Sequence, residues 1–226
     1  MIIIGVTGGV GSGKSALLQY MKEQYSCRIL MADEAAHEVS KRGGRAFAVL
    51  LDLLDKYPSG RPILGTDGEI DRAEMASRIF TRPELRDQVN ALIHPAVKDL
   101  ILEEILRETR KEAAGDEGAV RYCVLEAALL IECGYRPLVD EMWYIYCDPG
   151  VRAARLRAGR GYSEEKTRSI MASQLTEEEF RANSDVVIDN SGEFEDACRQ
   201  ADEALLRLQA RADRTKQPAE NAEEVS

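Results

Sequence analysis

The stretch that decides the fold lies at the start of the chain. Residues 2–15 read Ile2-Ile3-Ile4-Gly5-Val6-Thr7-Gly8-Gly9-Val10-Gly11-Ser12-Gly13-Lys14-Ser15. Their short, β-branched apolar beginning is typical of a buried parallel strand, and the glycine cluster after it predicts a tight turn. From Lys14 onward, apolar residues recur at helical spacing. The stretch therefore predicts a strand, a glycine loop and a helix in succession.

The glycine loop, residues 8–15, fits the pattern G-x-x-x-x-G-K-[ST]. Its glycines let backbone N–H groups wrap a polyphosphate, and the positive end of the following helix attracts the same anion. We expect Lys14 to reach the β- and γ-phosphates of a nucleotide and the Ser15 hydroxyl to bind Mg²⁺. A glycine turn without function is the alternative, but the strand before the loop and the helix after it are the context that the motif requires.

The rest of the chain alternates strands and helices. Further strands are predicted at residues 28–31, 122–125, 142–146 and 186–188, with helical patterns between them. This alternation predicts an α/β fold whose parallel β-sheet is sandwiched by helices. A mostly helical insertion is predicted between the second and third strands. In it, Asp71 to Glu74 reads as a capping box and Pro95 is expected to begin a helix.

Composition excludes several classes of partner. With 30 basic and 40 acidic residues the formal charge is −10, which disfavours nucleic acid and anionic membranes as partners. No apolar run approaches the roughly 20 residues of a membrane helix, and the N-terminus lacks the basic start of a signal peptide. Five scattered cysteines and two histidines offer few zinc ligands and indicate reduced thiols. We expect a cytoplasmic protein without an obligate protein partner, whose polar residues 211–226 are disordered.

Sequence motifs also narrow the class of phosphate-loop protein. The N-K-x-D motif of GTPases and the L-S-G-G-Q motif of ATP-binding-cassette proteins are both absent. Residues 149–163 hold no acid and contain Arg152, Arg155, Arg157 and Arg160. A planar guanidinium can clamp a phosphoryl group in transfer, and we predict a turn at 159–161 on which such a segment would hinge. These features favour a kinase of a small molecule.

A series of motifs spread along the chain carries a family resemblance. The matching blocks are 5–15, Ala32-Asp33-Glu34, Asp67-Gly68 with Ile70-Asp71-Arg72, Leu92-Ile93-His94-Pro95, Leu129-Leu130 with Glu132, 155–165, Gln174 and 185–192. In this order they resemble the dephospho-coenzyme A kinase family. The departures are Met31 where the family usually has Asp, Ala16 for a second Ser/Thr, Ala128 for a Pro, and arginines 155 and 160 spaced by five residues where many members have a spacing of four.

The resemblance implies ATP-dependent phosphorylation of the ribose 3′-hydroxyl of dephospho-CoA, the last step of coenzyme A synthesis, with Mg²⁺ as cofactor. It also implies one domain over residues 1–226. Its parts would be a P-loop NTPase core (about 1–32, 119–150 and 184–210), a helical CoA-binding insertion (about 33–118) and a small helical lid (about 151–183). The partners would be ATP and dephospho-CoA.

The site residues follow from the same resemblance and from their positions. The expected catalytic residues are Asp33, Lys14, Arg155 and Arg160. The expected ATP-binding residues are Gly9, Gly11, Ser12, Gly13, Lys14, Ser15, Ala16 and Asn190. Asp33 follows a strand, where ligands gather in parallel sheets, and would act as base for the acceptor hydroxyl or orient it, unless it only caps a helix. His94 is expected to bind substrate, and Glu126 is a candidate to support Mg²⁺ through water.

Two alternatives remain open at this stage. The first is a kinase of another hydroxylated metabolite, such as a nucleoside, on the same core. The second is a nucleotide-dependent switch that hydrolyses ATP slowly, although the chain carries no switch motif.

Overall fold

The computed structural model describes residues 1–216 of the chain. In chain order its elements are β1 (Ile2–Thr7), α1 (Lys14–Gln24), β2 (Cys27–Met31), α2 (Ala32–Ser40), α3 (Phe47–Asp55), α4 (Arg72–Phe80), α5 (Pro83–Ala113), β3 (Tyr122–Glu126), β4 (Glu141–Tyr146), α6 (Pro149–Arg160), α7 (Glu164–Ala172), α8 (Glu177–Ala182), β5 (Val186–Asp189) and α9 (Phe194–Lys216). The described residues form two compact units. The first comprises residues 1–29 and the chain from 120 onward, and the second comprises residues 30–119.

The first unit is built on a five-stranded sheet in the order β2-β3-β1-β4-β5. Strand β1 runs parallel to both β3 and β4, and β5 runs parallel to β4. The side chains of Ile4 and Val6 in the central strand are fully buried, as their β-branched run predicts. Helices flank the sheet, which confirms the predicted α/β class.

The topology of the sheet marks a binding position at its carboxyl edge. From β1 the chain continues toward β2 on one side, whereas from β4 it continues toward β5 on the other. Ligands in open parallel sheets bind outside the carboxyl ends of the strands at such a change of direction. The glycine loop follows β1 at this point, so the fold places the loop where a ligand is expected.

The C-terminal helix α9 is anchored to this unit by polar contacts. The hydroxyl groups of Tyr20 and Tyr25 both donate to the Asp202 carboxylate, at 2.9 Å and 2.6 Å. Burial, followed by the Asp202 carboxylate, raises the pKa of Tyr20 to about 12, and the pKa of Tyr25 is raised for the same reasons. Arg211 binds Glu141 of β4 at 3.1 Å. These contacts tie α9 to α1 and to the sheet.

The prediction of disorder from residue 211 is wrong for residues 211–216, which continue α9. The Arg211 ion pair explains why, because the nearly buried Glu141 carboxylate holds this turn to the sheet. The remainder of that prediction, residues 217–226, lies outside the described residues.

The second unit contains α2 to α5 and its own hydrophobic core. That core is formed by Leu50, Leu53, Leu54, Ile63, Ile70, Leu85 and Val89. A buried ion pair lies beside it, in which Arg78 Nε donates to Glu74 Oε1 at 2.7 Å. The same guanidinium donates to the carbonyls of Leu54, Tyr57 and Arg61. Arg78 therefore fastens α4 to the loop that follows α3, with its buried donors satisfied.

Two predictions about helix starts in this unit need correction. Asp71 does cap α4 by accepting from the N–H groups of Ala73 and Glu74, but the capping box does not close. The Glu74 carboxylate is bound to Arg78 instead. Pro95 does not begin a helix, because α5 starts at Pro83 and continues through Pro95 to Ala113. Pro83 occupies the first turn, where no N–H is needed.

Within residues 1–216, no helix combines the length and the apolar character needed to cross a membrane.

Candidate functional site

The glycine loop joins the end of β1 to the first turn of α1, as predicted. Gly13 caps α1 with φ 91°, a left-handed conformation that favours glycine. A Cβ at this position would also overlap the amide nitrogen of Asn190. Ser12 N–H closes a turn on the Gly9 carbonyl at 3.1 Å. The loop thus has a defined path that depends on glycine both for its conformation and for space.

Lys14 folds back across the loop. Its Nζ donates to the Gly8 carbonyl at 2.7 Å and lies 3.7 Å from Oε1 of Glu126 at the end of β3. The side chains of Lys14 and Glu126 are almost buried, at 12% and 10% exposure. Ser15 and Ala16 lie exposed in the first turn of α1. A cation is therefore held at the mouth of the loop, beside an exposed hydroxyl.

Asn190 supports the loop from the end of β5. Its side chain is buried, and Nδ2 donates to the Ser12 carbonyl at 2.8 Å. Its backbone N–H donates to Tyr146 O at 2.9 Å, which extends the β4–β5 ladder. The Ser12 hydroxyl and the Asn190 side-chain oxygen are buried without a hydrogen-bond partner among residues 1–216.

Two arginines of α6 reach the loop. Arg152 Nε donates to the Val10 carbonyl at 3.1 Å. Arg155 lies on the same face of α6, three residues further on, and its Nη1 donates to Cys147 Sγ at 3.4 Å. The same nitrogen is 3.6 Å from the position that a Cβ on Gly13 would occupy. Arg152 is not among the site residues expected from the sequence, although its spacing from Arg155 places both on one face of a helix.

Arg157 and Arg160 lie exposed near the end of α6. The predicted turn at 159–161 is wrong at its first two residues, because Gly159 and Arg160 are helical and only Gly161, with φ 62°, ends the helix. Five helical residues correspond to a rotation of about 140°. Arg160 therefore projects from a different side of α6 than Arg155.

Aromatic contacts pack α8 against the carboxyl end of β4. The rings of Tyr144 and Phe180 are stacked with their centroids 4.7 Å apart, and the Arg181 guanidinium lies 5.0 Å from the centre of the Tyr146 ring.

Burial raises the pKa of the Cys147 thiol, and the charges of Arg155 and Arg152 offset part of that rise. Cys147 accepts the Arg155 hydrogen bond in this environment.

Gln174 is a contact residue to which sequence reasoning assigned no role. Its Oε1 accepts from Val10 N–H at 3.1 Å and from Arg152 Nη2 at 2.7 Å. No local pattern identifies a glutamine whose partner is 164 positions away in the chain. Its place in the family motifs was the one available signal.

Asp33 and His94 belong to the unit of residues 30–119. Asp33 is the second residue of α2, immediately after β2, and its carboxylate is exposed. It does not cap the helix, because Met31 is the N-cap residue. Among residues 1–216 its carboxylate makes no hydrogen bond or ion pair. His94 lies half-buried in the middle of α5.

Comparison with known sequences gives one consistent result. The family model described as dephospho-CoA kinase matches residues 2–196. A dephospho-CoA kinase of Geobacillus kaustophilus is 35% identical over 199 residues, which cover 88% of this chain and 92% of that relative. A dephospho-CoA kinase of Streptococcus mutans is 32% identical over 207 residues, covering 92% and 98%.

Solved structures resemble this fold over nearly the whole chain. The protein TT1252 of Thermus thermophilus is 30% identical, with a TM-score of 0.71, and the match covers 91% of this chain and 96% of that protein. A dephospho-CoA kinase of Campylobacter jejuni is 20% identical, with a TM-score of 0.68 and coverage of 93% and 98%. At that identity the second likeness shows the fold alone.

Proposed function

Because the chain belongs to the dephospho-CoA kinase family, we propose that residues 8–15 hold the ATP whose γ-phosphoryl group passes to the ribose 3′-hydroxyl of dephospho-CoA. ATP-dependent phosphorylation of dephospho-CoA to coenzyme A is the activity of this family and of this chain. The family match over residues 2–196 carries this conclusion. A kinase of a nucleoside or another metabolite is not favoured by these relatives.

The first step of the proposed mechanism is the capture of the triphosphate by the loop. The loop amides and the N-terminus of α1 supply partial positive charge, and Lys14 supplies a full one. The Gly8 carbonyl holds Lys14 Nζ at the loop, with the Glu126 carboxylate 3.7 Å away, and the phosphates take the place of that carbonyl when ATP binds. The transferring phosphoryl group needs positioning and charge neutralisation more than covalent help, and these groups provide both. Asn190 then acts by holding Ser12 in place, and we propose that the adenine lies against the backbone near it.

Magnesium is the general cofactor of ATP-dependent kinases, and the residues of this site fit it. Among the described residues, no cluster of three or more His, Cys, Asp or Glu side chains is present to hold a metal alone. Mg²⁺ keeps several waters and is bound by one or two protein groups together with substrate phosphates. We assign Ser15 as the protein ligand, with Glu126 supporting it through water. When bound there, the ion would supply positive charge that offsets the charge developing on the phosphates.

We assign the acceptor side of the reaction to the unit of residues 30–119. The exposed Asp33 carboxylate has no hydrogen-bond partner within residues 1–216, so it is available to orient the 3′-hydroxyl or to take its proton. His94 contributes a hydrogen bond to the substrate, residues 33–118 bind the CoA portion, and residues 151–183 form the lid.

The five cysteines are all free thiols, which supports a reducing, cytoplasmic environment for these steps.

The proposed function is tested by measuring ADP release. Purified protein with ATP and Mg²⁺ is given dephospho-CoA, no acceptor, or one of a panel of nucleosides, and the product is identified by mass. We expect ADP and coenzyme A with dephospho-CoA and only a low background otherwise. Comparable ADP release with a nucleoside and none with dephospho-CoA would contradict the proposal, and release independent of any acceptor would favour a slow ATPase.

Arg155 and Arg160 are both candidates for the arginine that contacts the transferred phosphoryl group, but they differ in their position relative to the glycine loop. Arg155 lies beside Gly13 on the loop-facing side of α6, whereas Arg160 is in the last turn and exposed. Loss of one charge-assisted hydrogen bond predicts that Arg155→Ala lowers kcat by about 10- to 100-fold. Arg160→Ala, at the other end of the same helix, is its comparison. A larger loss of kcat in the Arg160 variant would assign the contact to Arg160 instead.

A further inference from the structure

Three hydrogen bonds form a closed ring between the Val10 backbone of the glycine loop and the side chains of Arg152 and Gln174. Arg152 Nε donates to the Val10 carbonyl, Val10 N–H donates to Gln174 Oε1, and Arg152 Nη2 donates to the same oxygen. Both polar groups of the Val10 backbone are therefore bound by side chains from distant parts of the chain. A single oxygen of Gln174 joins the two donors.

The position of the ring explains what it can do for the loop. Val10 lies between Gly9 and Gly11, and glycine has more backbone freedom to lose than any other residue. Backbone N–H groups stabilise an anion most effectively when they already point toward its binding position, because the protein then needs no reorganisation on binding. Fixing both polar groups of the Val10 backbone removes that freedom at the outer bend of the loop.

The ring also joins the loop to two helical segments. Arg152 lies in α6, whose first turn is capped by the Asp148 carboxylate. Gln174 lies two residues beyond the end of α7, where Ser173 caps that helix. Among residues 1–216, no carboxylate lies within ion-pair distance of Arg152. Arg152 therefore brings a positive charge without an ion-pair partner among the described residues to the loop that we propose binds ATP.

We infer that Gln174 and Arg152 are positioning residues, which fix the Val10 backbone and so aim the loop amides before ATP binds. This inference rests on the proposed binding of ATP at the loop. It assigns to Gln174 a task that depends on the acceptor capacity of its side-chain oxygen. The arrangement predicts that ATP affinity, and not acceptor affinity, depends on the ring.

The test compares side chains of similar size that keep or lose this oxygen. Gln174→Met removes the acceptor and leaves Val10 N–H unpaired, so the Kd for ATP measured by calorimetry without acceptor is expected to rise about tenfold. Gln174→Glu keeps an acceptor for both donors and is expected to recover affinity to within about threefold of wild type. KM for ATP should follow the Kd, while KM for dephospho-CoA stays unchanged.

Arginine variants on α6 supply the matched comparison. Arg152→Met is expected to weaken ATP binding about as much as Gln174→Met, and the double variant should lose less than the product of the two effects, since the ring is one unit. Arg157→Met is the control, because the Arg157 side chain is exposed on the same helix and makes no hydrogen bond or ion pair within residues 1–216. Hydrogen exchange of the Val10 amide in the nucleotide-free protein should be faster in Gln174→Met than in wild type.

The outcomes distinguish the inference from the proposed function. If wild type phosphorylates dephospho-CoA but Gln174→Met binds ATP as wild type does, the positioning role is wrong and the function stands. If Arg157→Met loses as much affinity as Arg152→Met, or if Gln174→Glu gives no recovery, the role is also wrong. If wild type binds ATP without phosphorylating dephospho-CoA, the function fails, while the calorimetry still decides the inference. Should Gln174→Met not fold, Arg152→Met and Gln174→Glu give the same decision.

Discussion

Replacement of Lys14 by methionine is expected to lower kcat for coenzyme A formation by a factor of about 10³ or more. The reason is that Nζ is the full positive charge held at the mouth of the glycine loop, 2.7 Å from the Gly8 carbonyl. Without this charge the transition state for phosphoryl transfer loses part of its electrostatic stabilisation. Single-turnover measurement with saturating ATP separates the loss in the chemical step from weaker binding.

Two controls keep this result interpretable. Without Lys14 the nearly buried Glu126 carboxylate loses a cation 3.7 Å away, which lowers the free energy of unfolding. The double variant Lys14→Met with Glu126→Gln removes that charge, and we expect stability to recover while transfer stays lost. Lys22→Met, exposed near the end of the same helix, should leave kcat unchanged. Turnover near wild type in Lys14→Met would remove Lys14 from the mechanism.

Asp33→Asn is expected to lower kcat by a factor of about 10²–10⁴, the range for removal of a general base. KM for ATP should change little, because we assign Asp33 to the acceptor hydroxyl and not to the phosphate loop. Stability should also be preserved, since the exposed carboxylate makes no hydrogen bond or ion pair within residues 1–216. Steady-state kinetics with both substrates varied would measure the split between kcat and the two KM values.

Glu34→Gln is the matched control for Asp33→Asn, because Glu34 is the next residue and is also exposed in the first turn of α2. It carries the same charge at nearly the same place, so a general electrostatic effect would appear in both variants. If Glu34→Gln and Asp33→Asn lose the same activity, or if Asp33→Asn turns over normally, the assigned role of Asp33 is wrong.

Local chemistry made the first strand, the loop and the first helix predictable. Their signals are the β-branched run of residues 2–4, the glycine spacing and the position of Lys14, and each acts within a few residues. The parallel sheet was predictable because alternation of strands and helices leaves few other arrangements. The structure confirms the fold class, whereas the roles of Asp33 and His94 remain predictions.

The structure differs from the sequence predictions at two local signals and at one contact between distant residues. Gly159 reads as a turn residue, but α6 continues through it, and that continuation turns Arg160 away from the side that holds Arg155. Pro95 reads as a helix start, but α5 begins earlier at Pro83 and runs through it. The hydrogen bond between Val10 and Gln174 joins residues 164 positions apart, and no local sequence pattern at either residue predicts it.

The close approach of Arg152 to Gly9 has a consequence for how this sequence can diverge. A Cβ at position 9 would overlap the Arg152 guanidinium, so any larger residue there requires that guanidinium to move. A larger residue at position 9 would displace Arg152 from Val10 and Gln174 unless position 152 became shorter at the same time. Positions 9 and 152 should therefore vary as a pair among relatives, with a small residue at one wherever the other is large.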